Sequence, residues 1–196
     1  YEKMCKEKKV KLVNLSKGDI IDKEVYVKGE KFTLKVNKML LASNLIINVP
    51  KLKYHRFVGI SCGLKNMFGS ISTPRKYVYH PKISKVIVGI NKIVRSDLTI
   101  VDGIIAKGEY PKKIGIIIAG DNVLATDIIA AKILGYKPEN ISYINLAKAE
   151  KICNVNKIKL IEDGTKLGDV RKNFPRQSHL KQNLSWKIQL KALDIY

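Results

Sequence analysis

Cysteines are few in this sequence, and their spacing matches no disulfide or metal-binding pattern. The three, Cys5, Cys62 and Cys153, are odd in number and far apart in the chain. This argues against a disulfide framework, a zinc site and an iron–sulfur cluster, which use cysteines in closely spaced groups. The cysteine usage instead fits a reducing compartment, so we expect a cytoplasmic location.

Long apolar runs are also missing. No stretch reaches the roughly 18 consecutive apolar residues that a membrane-spanning helix needs. The chain begins at Tyr1, and its Lys-rich opening segment lacks the apolar core of a secretion signal. We therefore expect no membrane partner, and a first residue that is set by trimming or by the choice of the expressed segment.

Acidic residues are scarce compared with basic ones. The chain has 37 Lys and Arg against 17 Asp and Glu, a formal net charge of +20. Such a charge attracts polyanions and anionic substrates. Few aromatic residues stand among the basic ones, as stacking platforms for nucleic acid require. We therefore favour solvated surface lysines, as in a Lys-rich thermophile proteome, over a dedicated nucleic-acid surface.

Apolar strands alternating with amphipathic helices are present, and they are typical of an α/β domain. The N-terminal part predicts a strand over 10–15 and a small β-hairpin with strands at 24–27 and 31–36. The fold class is therefore α/β, with a mixed, mostly parallel sheet, helices on both faces and a small β-hairpin appendage. The buried strands of that sheet are predicted at 45–49, 98–103, 114–120 and 157–161.

Helical spacing of apolar residues predicts helices over 82–95, 122–134, 138–152 and 178–193. No repeat, linker or low-complexity tract interrupts the chain. We expect a single α/β domain over the 196 residues, ending in a basic tail.

Two lysines and a histidine follow the first of these buried strands. Lys51, Lys53 and His55 stand where α/β proteins gather ligands, at the carboxyl end of a strand. Lysine binds phosphate or carboxylate as a point charge, and histidine can transfer protons near neutral pH. The alternative is a solvated basic loop with a structural histidine.

A glycine-containing segment comes next, over 59–69. Its glycines allow backbone amides to approach a bound anion, while Lys65 and Asn66 supply a charge and an amide. The spacing is not that of a phosphate-binding P-loop, and a plain turn into a helix is the alternative. Cys62 lies here too, and a free cysteine is more often a small buried hydrophobe than a nucleophile.

Three aspartates are the candidate acidic groups. Asp102 and Asp121 follow adjacent apolar strands, where carboxylates can hold a divalent cation such as Mg²⁺ or act as acid and base. Turn formation and helix capping are the alternatives for these two. Asp127 lies within a predicted helix, where aspartate is not favoured, so we expect it to face the site.

In their order along the chain, these segments resemble the signature of the family called domain of unknown function 362. The first block runs over 50–69 and continues to Arg75 and His80. The two later blocks cover 96–103 and 119–127. The resemblance implies the anion-binding roles of Gly69, Arg75 and His80, which spacing alone does not.

This sequence departs from the family pattern in four respects. Tyr54 stands where a small hydroxyl residue is usual, and 107–111 replace a tighter glycine–proline turn. Relatives usually carry a substantial α/β segment before this region, so the resemblance implies an N-terminally shortened member. The ferredoxin-like cysteine runs of some relatives are missing here, which removes the case for an iron–sulfur cluster.

We therefore predict a site for an anionic small molecule, phosphorylated or carboxylated, at the carboxyl ends of the central strands. Catalytic roles are expected for His55, Lys65 and Asp127, ligand binding for Lys51, Lys53, Asn66, Gly69, Arg75 and His80, and metal ligation for Asp102 and Asp121. The chain lacks a catalytic triad, zinc spacing and a dinucleotide fingerprint, so no reaction is assigned. A nucleic-acid-binding protein driven by the positive charge is the alternative.

Overall fold

The computed structural model describes residues 1–154 and 159–174. Within these ranges the α-helices are α1 (Glu2–Glu7), α2 (Lys38–Leu41), α3 (Gly63–Met67), α4 (Ile83–Ile93), α5 (Val123–Ile133), α6 (Ser142–Ala149) and α7 (Leu167–Asn173). The strands are β1 (Ile20–Val27), β2 (Glu30–Asn37), β3 (Ile47–Asn48), β4 (Lys51–His55), β5 (Gly59–Ser61), β6 (Leu98–Lys107) and β7 (Pro111–Gly120). None of the described helices has the length and apolar character to span a membrane.

The predicted β-hairpin is confirmed. Strands β1 and β2 pair antiparallel from Ile20 opposite Asn37 to Val27 opposite Glu30. The turn places Lys28 at φ 48° and Gly29 at φ 73°. Positive φ at both central turn residues matches the twist of a two-residue hairpin. The alternating pattern of the sequence was therefore sufficient to place this unit.

The hairpin packs its apolar face on α4. At Gly89 in α4 an added Cβ would lie 3.1 Å from Val25 Cγ1, so the missing side chain permits this close approach. An ion pair ties the same elements to α6, because Lys92 Nζ donates to the Tyr26 carbonyl at 2.7 Å and to Glu150 Oε2 at 2.8 Å. The hairpin is thus a fixed appendage of the helical layer.

The main sheet is mixed and is built around β6. Strand β7 pairs antiparallel with one edge of β6, and β3 and β4 pair parallel with the other. Strand β5 extends the sheet antiparallel to β4. Helices α3 and α5 pack against these strands, α5 contacting both β6 and β7. The α/β class with a β-hairpin appendage is therefore confirmed.

The two faces of the sheet differ in exposure. On the side of α3 and α5, Thr99 and Val101 of β6 are buried. On the opposite side, Ile47 of β3 is 50% exposed and Ile117 of β7 is 64% exposed. Asp102 shares this second side, since it lies opposite Ile117 in the β6–β7 ladder. Side chains of β6 that are adjacent in sequence thus meet very different surroundings.

Several predicted elements differ from those observed. Residues 10–15 form no strand, because the alternating residues meet no partner strand there. Over 45–49 only Ile47 and Asn48 pair, while Leu45 and Val49 are 63% and 60% exposed, so burial on both faces was wrong. The predicted 157–161 strand lies partly outside the described residues, and the described 159–161 are irregular.

The helix predictions were more accurate. Those over 82–95 and 122–134 correspond to α4 and α5. The third, over 138–152, divides into a 3₁₀ turn at Pro138–Asn140 and then α6. The fourth, over 178–193, lies outside the described residues.

Candidate functional site

Five basic side chains come together beyond the end of β4, and we name them the basic cluster: Lys53, His55, Lys65, Lys76 and His80. Alternation along β4 puts Lys53 and His55 on one side of the strand. Helix α3 contributes Lys65, and the 3₁₀ segment Lys76–Lys82 contributes the other two. Besides burial, the charges of Lys65, Lys53 and His80 contribute to the lowered pKa of His55, and those of Lys53 and Lys76 contribute to the lowered pKa of Lys65, so these side chains lie near one another.

His55 is held neutral in the basic cluster. Burial lowers its pKa to about 4, and the positive charges of Lys65 and Lys53 act in the same direction. Its Nδ1 accepts a hydrogen bond from the Phe57 backbone N–H at 3.3 Å. Since Nδ1 is an acceptor, the proton of the neutral ring is on Nε2. At neutral pH, His55 therefore offers an N–H donor. If a nearby anion favours protonation of its ring, His55 also adds a positive charge to those of the lysines.

Lys65 is the most perturbed lysine of the cluster. Burial, followed by the charges of Lys53 and Lys76, lowers its pKa to about 8. Its Nζ lies 4.4 Å from the centre of the Phe68 ring, a cation–π contact. Within the described part of the chain, neither Lys53 nor Lys65 forms an ion pair with a carboxylate. Among these residues, no carboxylate therefore offsets their charges.

The 3₁₀ segment closes the cluster from the other side. Lys76 Nζ donates to the Gly69 carbonyl at 2.6 Å, and burial lowers its pKa. The ring of His80 lies 5.6 Å from that of Phe57, which lies 5.6 Å from His55. Gly69 contributes its carbonyl to this arrangement, and an added Cβ there would meet nothing within 4 Å. The cluster is thus joined to its supporting loop by both polar and ring contacts.

Three of the predicted ligand-binding residues lie elsewhere or face solvent. Lys51 pairs with Asp102 at 2.7 Å instead of joining the cluster. Asn66 donates its amide to Asn48 Oδ1 at 2.8 Å, which ties α3 to β3. Arg75 is exposed at the start of the 3₁₀ segment. Two of these side chains therefore already have partners within the fold.

Asp127 is fully buried behind α3, away from the open side of the cluster. It accepts hydrogen bonds from the Leu64 N–H at 3.3 Å and from the Tyr143 hydroxyl at 3.2 Å. Burial raises its pKa to about 7, against the opposing effect of these hydrogen bonds and one from Cys62. Asp127 therefore holds the start of α3, and through α3 it positions Lys65.

The start of α3 is packed too closely for any side chain at Gly63. An added Cβ would lie 2.7 Å from Val123 Cγ2 and 3.0 Å from Asp127 Oδ1. The carbonyl of Gly63 also accepts a hydrogen bond from Asn48 Nδ2 at 2.9 Å. Gly63 is therefore needed for close packing at the start of α3. This agrees with the alternative interpretation of the 59–69 segment as a plain turn into a helix.

Asp102 and Asp121 do not lie together, contrary to the expectation from the sequence. Because β7 runs antiparallel to β6, Asp102 lies opposite Ile117, and Asp121 comes four residues later. At about 3.3 Å per residue this is a separation of roughly 13 Å along the strand, too far for one shared cation. No group of three metal-ligating side chains occurs in the ranges that the structure describes. A divalent ion at either aspartate stays a prediction.

Each aspartate has a different local setting. Lys51 and the Ile104 N–H hold the pKa of Asp102 below its usual range. Asp121 is exposed and lines a cavity of about 550 Å³ at the start of α5. The cap of that helix is Asn122, whose Oδ1 accepts from the Ala125 N–H at 3.0 Å, so Asp121 is not the capping residue.

Sequence reasoning missed Lys76, Phe57 and Phe68 as members of the site. Lys76 donates to the carbonyl of Gly69, seven residues earlier in the chain, and no periodic pattern in the sequence predicts this contact. Phe57 was assigned no role, although it follows His55 by two residues in the β4–β5 turn. Its position in the motif was the available signal.

The fold and the basic cluster define an α/β protein with a cationic site at the end of a sheet strand. The chain matches the family described as Domain of unknown function (DUF362) over residues 1–132. Because this is more than half of the chain, the protein belongs to that family.

A curated relative is the thylakoid-associated protein sll1697 of Synechocystis sp., 31% identical over 121 residues. That alignment covers 55% of this chain and 38% of the relative, so the chain spans well under two thirds of the relative's length. No solved structure matches the chain.

Proposed function

We propose that the basic cluster binds an anionic small molecule through its phosphate or carboxylate group. One observation carries the proposal: Lys53, His55 and Lys65 are half-buried side by side, and the described residues give them no carboxylate partner. Burying like charges together is unfavourable without a counter-charge. A bound anion supplies that counter-charge.

The cluster offers an anion several kinds of donor. The ammonium groups of Lys53 and Lys65 act as point charges, and His55 donates through Nε2. When an anion binds, its negative charge favours protonation of His55 and strengthens that hydrogen bond. Lys65, with a pKa of about 8, is also close to the range in which a lysine exchanges protons with a substrate. We place this binding in the cytoplasm, in keeping with the cysteine usage.

The direct test is calorimetric titration with inorganic phosphate at physiological salt. Lys65→Gln should weaken phosphate binding by about tenfold, since a buried charge-assisted hydrogen bond contributes about 1.5–3 kcal/mol. Lys23→Gln is the matched control, because it removes the same charge from an exposed position of β1. Its affinity should stay within about twofold of the unaltered protein. Equal losses in both variants would show a net-charge effect and refute the site.

Nucleic-acid binding, the alternative, makes a different prediction for the same variants. A polyanion binder uses many surface lysines, so affinity for a short duplex should fall steeply with salt and respond alike to Lys23→Gln and Lys65→Gln. Duplex binding tighter than micromolar at physiological salt, together with no phosphate binding, would favour this alternative.

A further inference from the structure

A second cavity of about 430 Å³ adjoins the basic cluster. Phe57 and His80 line this cavity on the side of the basic cluster. The ring of Phe57 contacts the rings of both His55 and His80, with 5.6 Å between centres in each pair. The rest of the lining comes from the end of the 3₁₀ segment, the start of α4 and the first residue of α6: Pro81, Lys82, Ile83, Ser84, Lys85 and Ser142. We name this cavity the hydroxyl pocket. Its volume falls within the range of small-molecule sites.

The hydroxyl pocket is polar but differs in charge from the basic cluster. Its two lysines, Lys82 and Lys85, both pair with Glu30 of the hairpin, Lys85 at 2.5 Å. Those hydrogen bonds, Lys82 first, lower the pKa of Glu30, which therefore stays ionised opposite them. Both ammonium groups thus have a carboxylate oxygen as partner, although one carboxylate offsets only one of the two positive charges. An anion in the pocket would have to compete with Glu30, whereas Lys53 and Lys65 have no such partner among the described residues.

Besides these two lysines and His80, the polar side chains of the lining are the hydroxyls of Ser84 and Ser142. A serine hydroxyl both donates and accepts, so it pairs well with a hydroxyl of a ligand. Ser84 is half-buried and Ser142 is exposed, so an apolar chain lying over them would displace water from both hydroxyls without replacing its hydrogen bonds. The Phe57 ring adds one apolar surface against which a carbon ring can lie.

We infer that the hydroxyl pocket holds the uncharged, hydroxyl-bearing part of the ligand whose anionic group binds the basic cluster, which makes the ligand a sugar phosphate or a close chemical equivalent. This inference rests on the proposed function, because the anionic group anchors the molecule. The ring series His55, Phe57 and His80 connects the two parts of the site.

The experiment compares inorganic phosphate with glucose 6-phosphate as probes, by calorimetry on the full chain. Glucose 6-phosphate should bind about tenfold more tightly than phosphate. The double variant Ser84→Ala/Ser142→Ala should lose most of that advantage and keep its affinity for phosphate. Ser16→Ala, in an exposed turn, is the matched control and should change neither affinity.

The outcomes separate this inference from the proposed function. If phosphate binds and glucose 6-phosphate binds no more tightly, the hydroxyl pocket is refuted while the anion site stands. If neither probe binds, both are refuted. The ratio of the two affinities in the unaltered protein distinguishes these outcomes even if the double variant folds poorly. A preserved ratio in a well-folded double variant would also overturn the role of the two serines.

Discussion

The basic cluster and the buried surroundings of Asp127 lie on either side of the short helix α3, and both contain ionisable groups with shifted pKa values. Burial is the main cause in both regions: it lowers the pKa of His55 and of Lys65, and it raises that of Asp127. Shifted values of this kind are common at functional sites and in structural networks alike. The pKa shifts alone therefore do not identify the site.

The two regions differ in how their polar groups are paired. Asp127 receives hydrogen bonds from Leu64 and Tyr143 and has no exposed surface. Lys53 and Lys65 are half-buried and have no carboxylate partner among the described residues. A closed, paired network stabilises the fold, whereas an open cluster of like charges needs a partner from outside. On this difference we base the proposal that Asp127 stabilises the fold and that Lys65 binds the anion.

The largest expected effect is on the structural side of the helix. Asp127→Ala should lower the free energy of unfolding by about 3 kcal/mol, since it leaves buried N–H and O–H donors without an acceptor. Asp127→Asn should retain most of the stability at pH 7, because it keeps an acceptor oxygen for the Leu64 N–H. Urea denaturation measures both. If Asp127→Ala lowers the free energy of unfolding no more than the exposed control Asp163→Ala does, Asp127 does not stabilise the fold. The proposed difference between the two regions would then be wrong.

The next effect concerns the binding side. Lys65 loses its proton above its pKa of about 8, so anion affinity should decrease severalfold between pH 7 and pH 9. Sulfate is the suitable probe because its charge is constant over this range. In Lys65→Gln the decrease should largely disappear. An equal decrease in that variant would assign the pH dependence to another group.

Another effect of comparable size concerns stability in acid. The folded protein holds the pKa of His55 at about 4, below the usual value of 6.5. As the pH falls, His55 is therefore protonated in the unfolded chain before it is protonated in the folded protein. This favours the unfolded chain, so the free energy of unfolding decreases as the pH falls from about 6.5 to 4. Asp127, with a raised pKa, acts with the opposite sign between 3.8 and about 7.

The difference between the unaltered protein and His55→Gln isolates the histidine effect, because Asp127 is common to both. The unaltered protein should lose stability relative to His55→Gln on acidification from pH 6.5 to pH 4. Thermal denaturation at a series of pH values measures this difference. Parallel curves for the two proteins would contradict the neutral state of His55.

The smallest expected effect concerns the ion pair on the exposed face of the sheet. The side chains of Lys51 and Asp102 are 42% and 41% exposed, so solvent screens their attraction. Lys51→Gln should change the free energy of unfolding by less than about 1 kcal/mol. Phosphate affinity should change by less than about twofold. A loss of binding equal to that of Lys65→Gln would place Lys51 in the site after all.

The sequence predicted the local elements well because their patterns are local. Alternation gave the β-hairpin, and helical spacing gave α4 and α5. Lys53 and His55 were expected at the site because they follow a predicted strand, although strand β4 itself was not predicted. Lys65 was expected there from its place in the glycine-containing segment. Three of the five members of the basic cluster were therefore expected from the residues alone, and His80 was expected from the resemblance.

The rest depended on contacts between distant segments. A buried apolar run indicates a strand but not its direction, so the antiparallel pairing of β6 with β7 was not foreseen, and with it the separation of Asp102 from Asp121. The pairing of Lys51 with Asp102 joins residues 51 positions apart. The burial of Asp127 likewise depends on α3 and α6 meeting α5.

The central claim is that an anion binds beside His55, and its most direct test is the titration of the His55 ring followed by NMR, with and without sulfate. We predict a pKa near 4 in the free protein and a clearly higher value at saturating sulfate, with no such rise in Lys65→Gln. A His55 pKa that sulfate leaves unchanged in the unaltered protein would contradict the site.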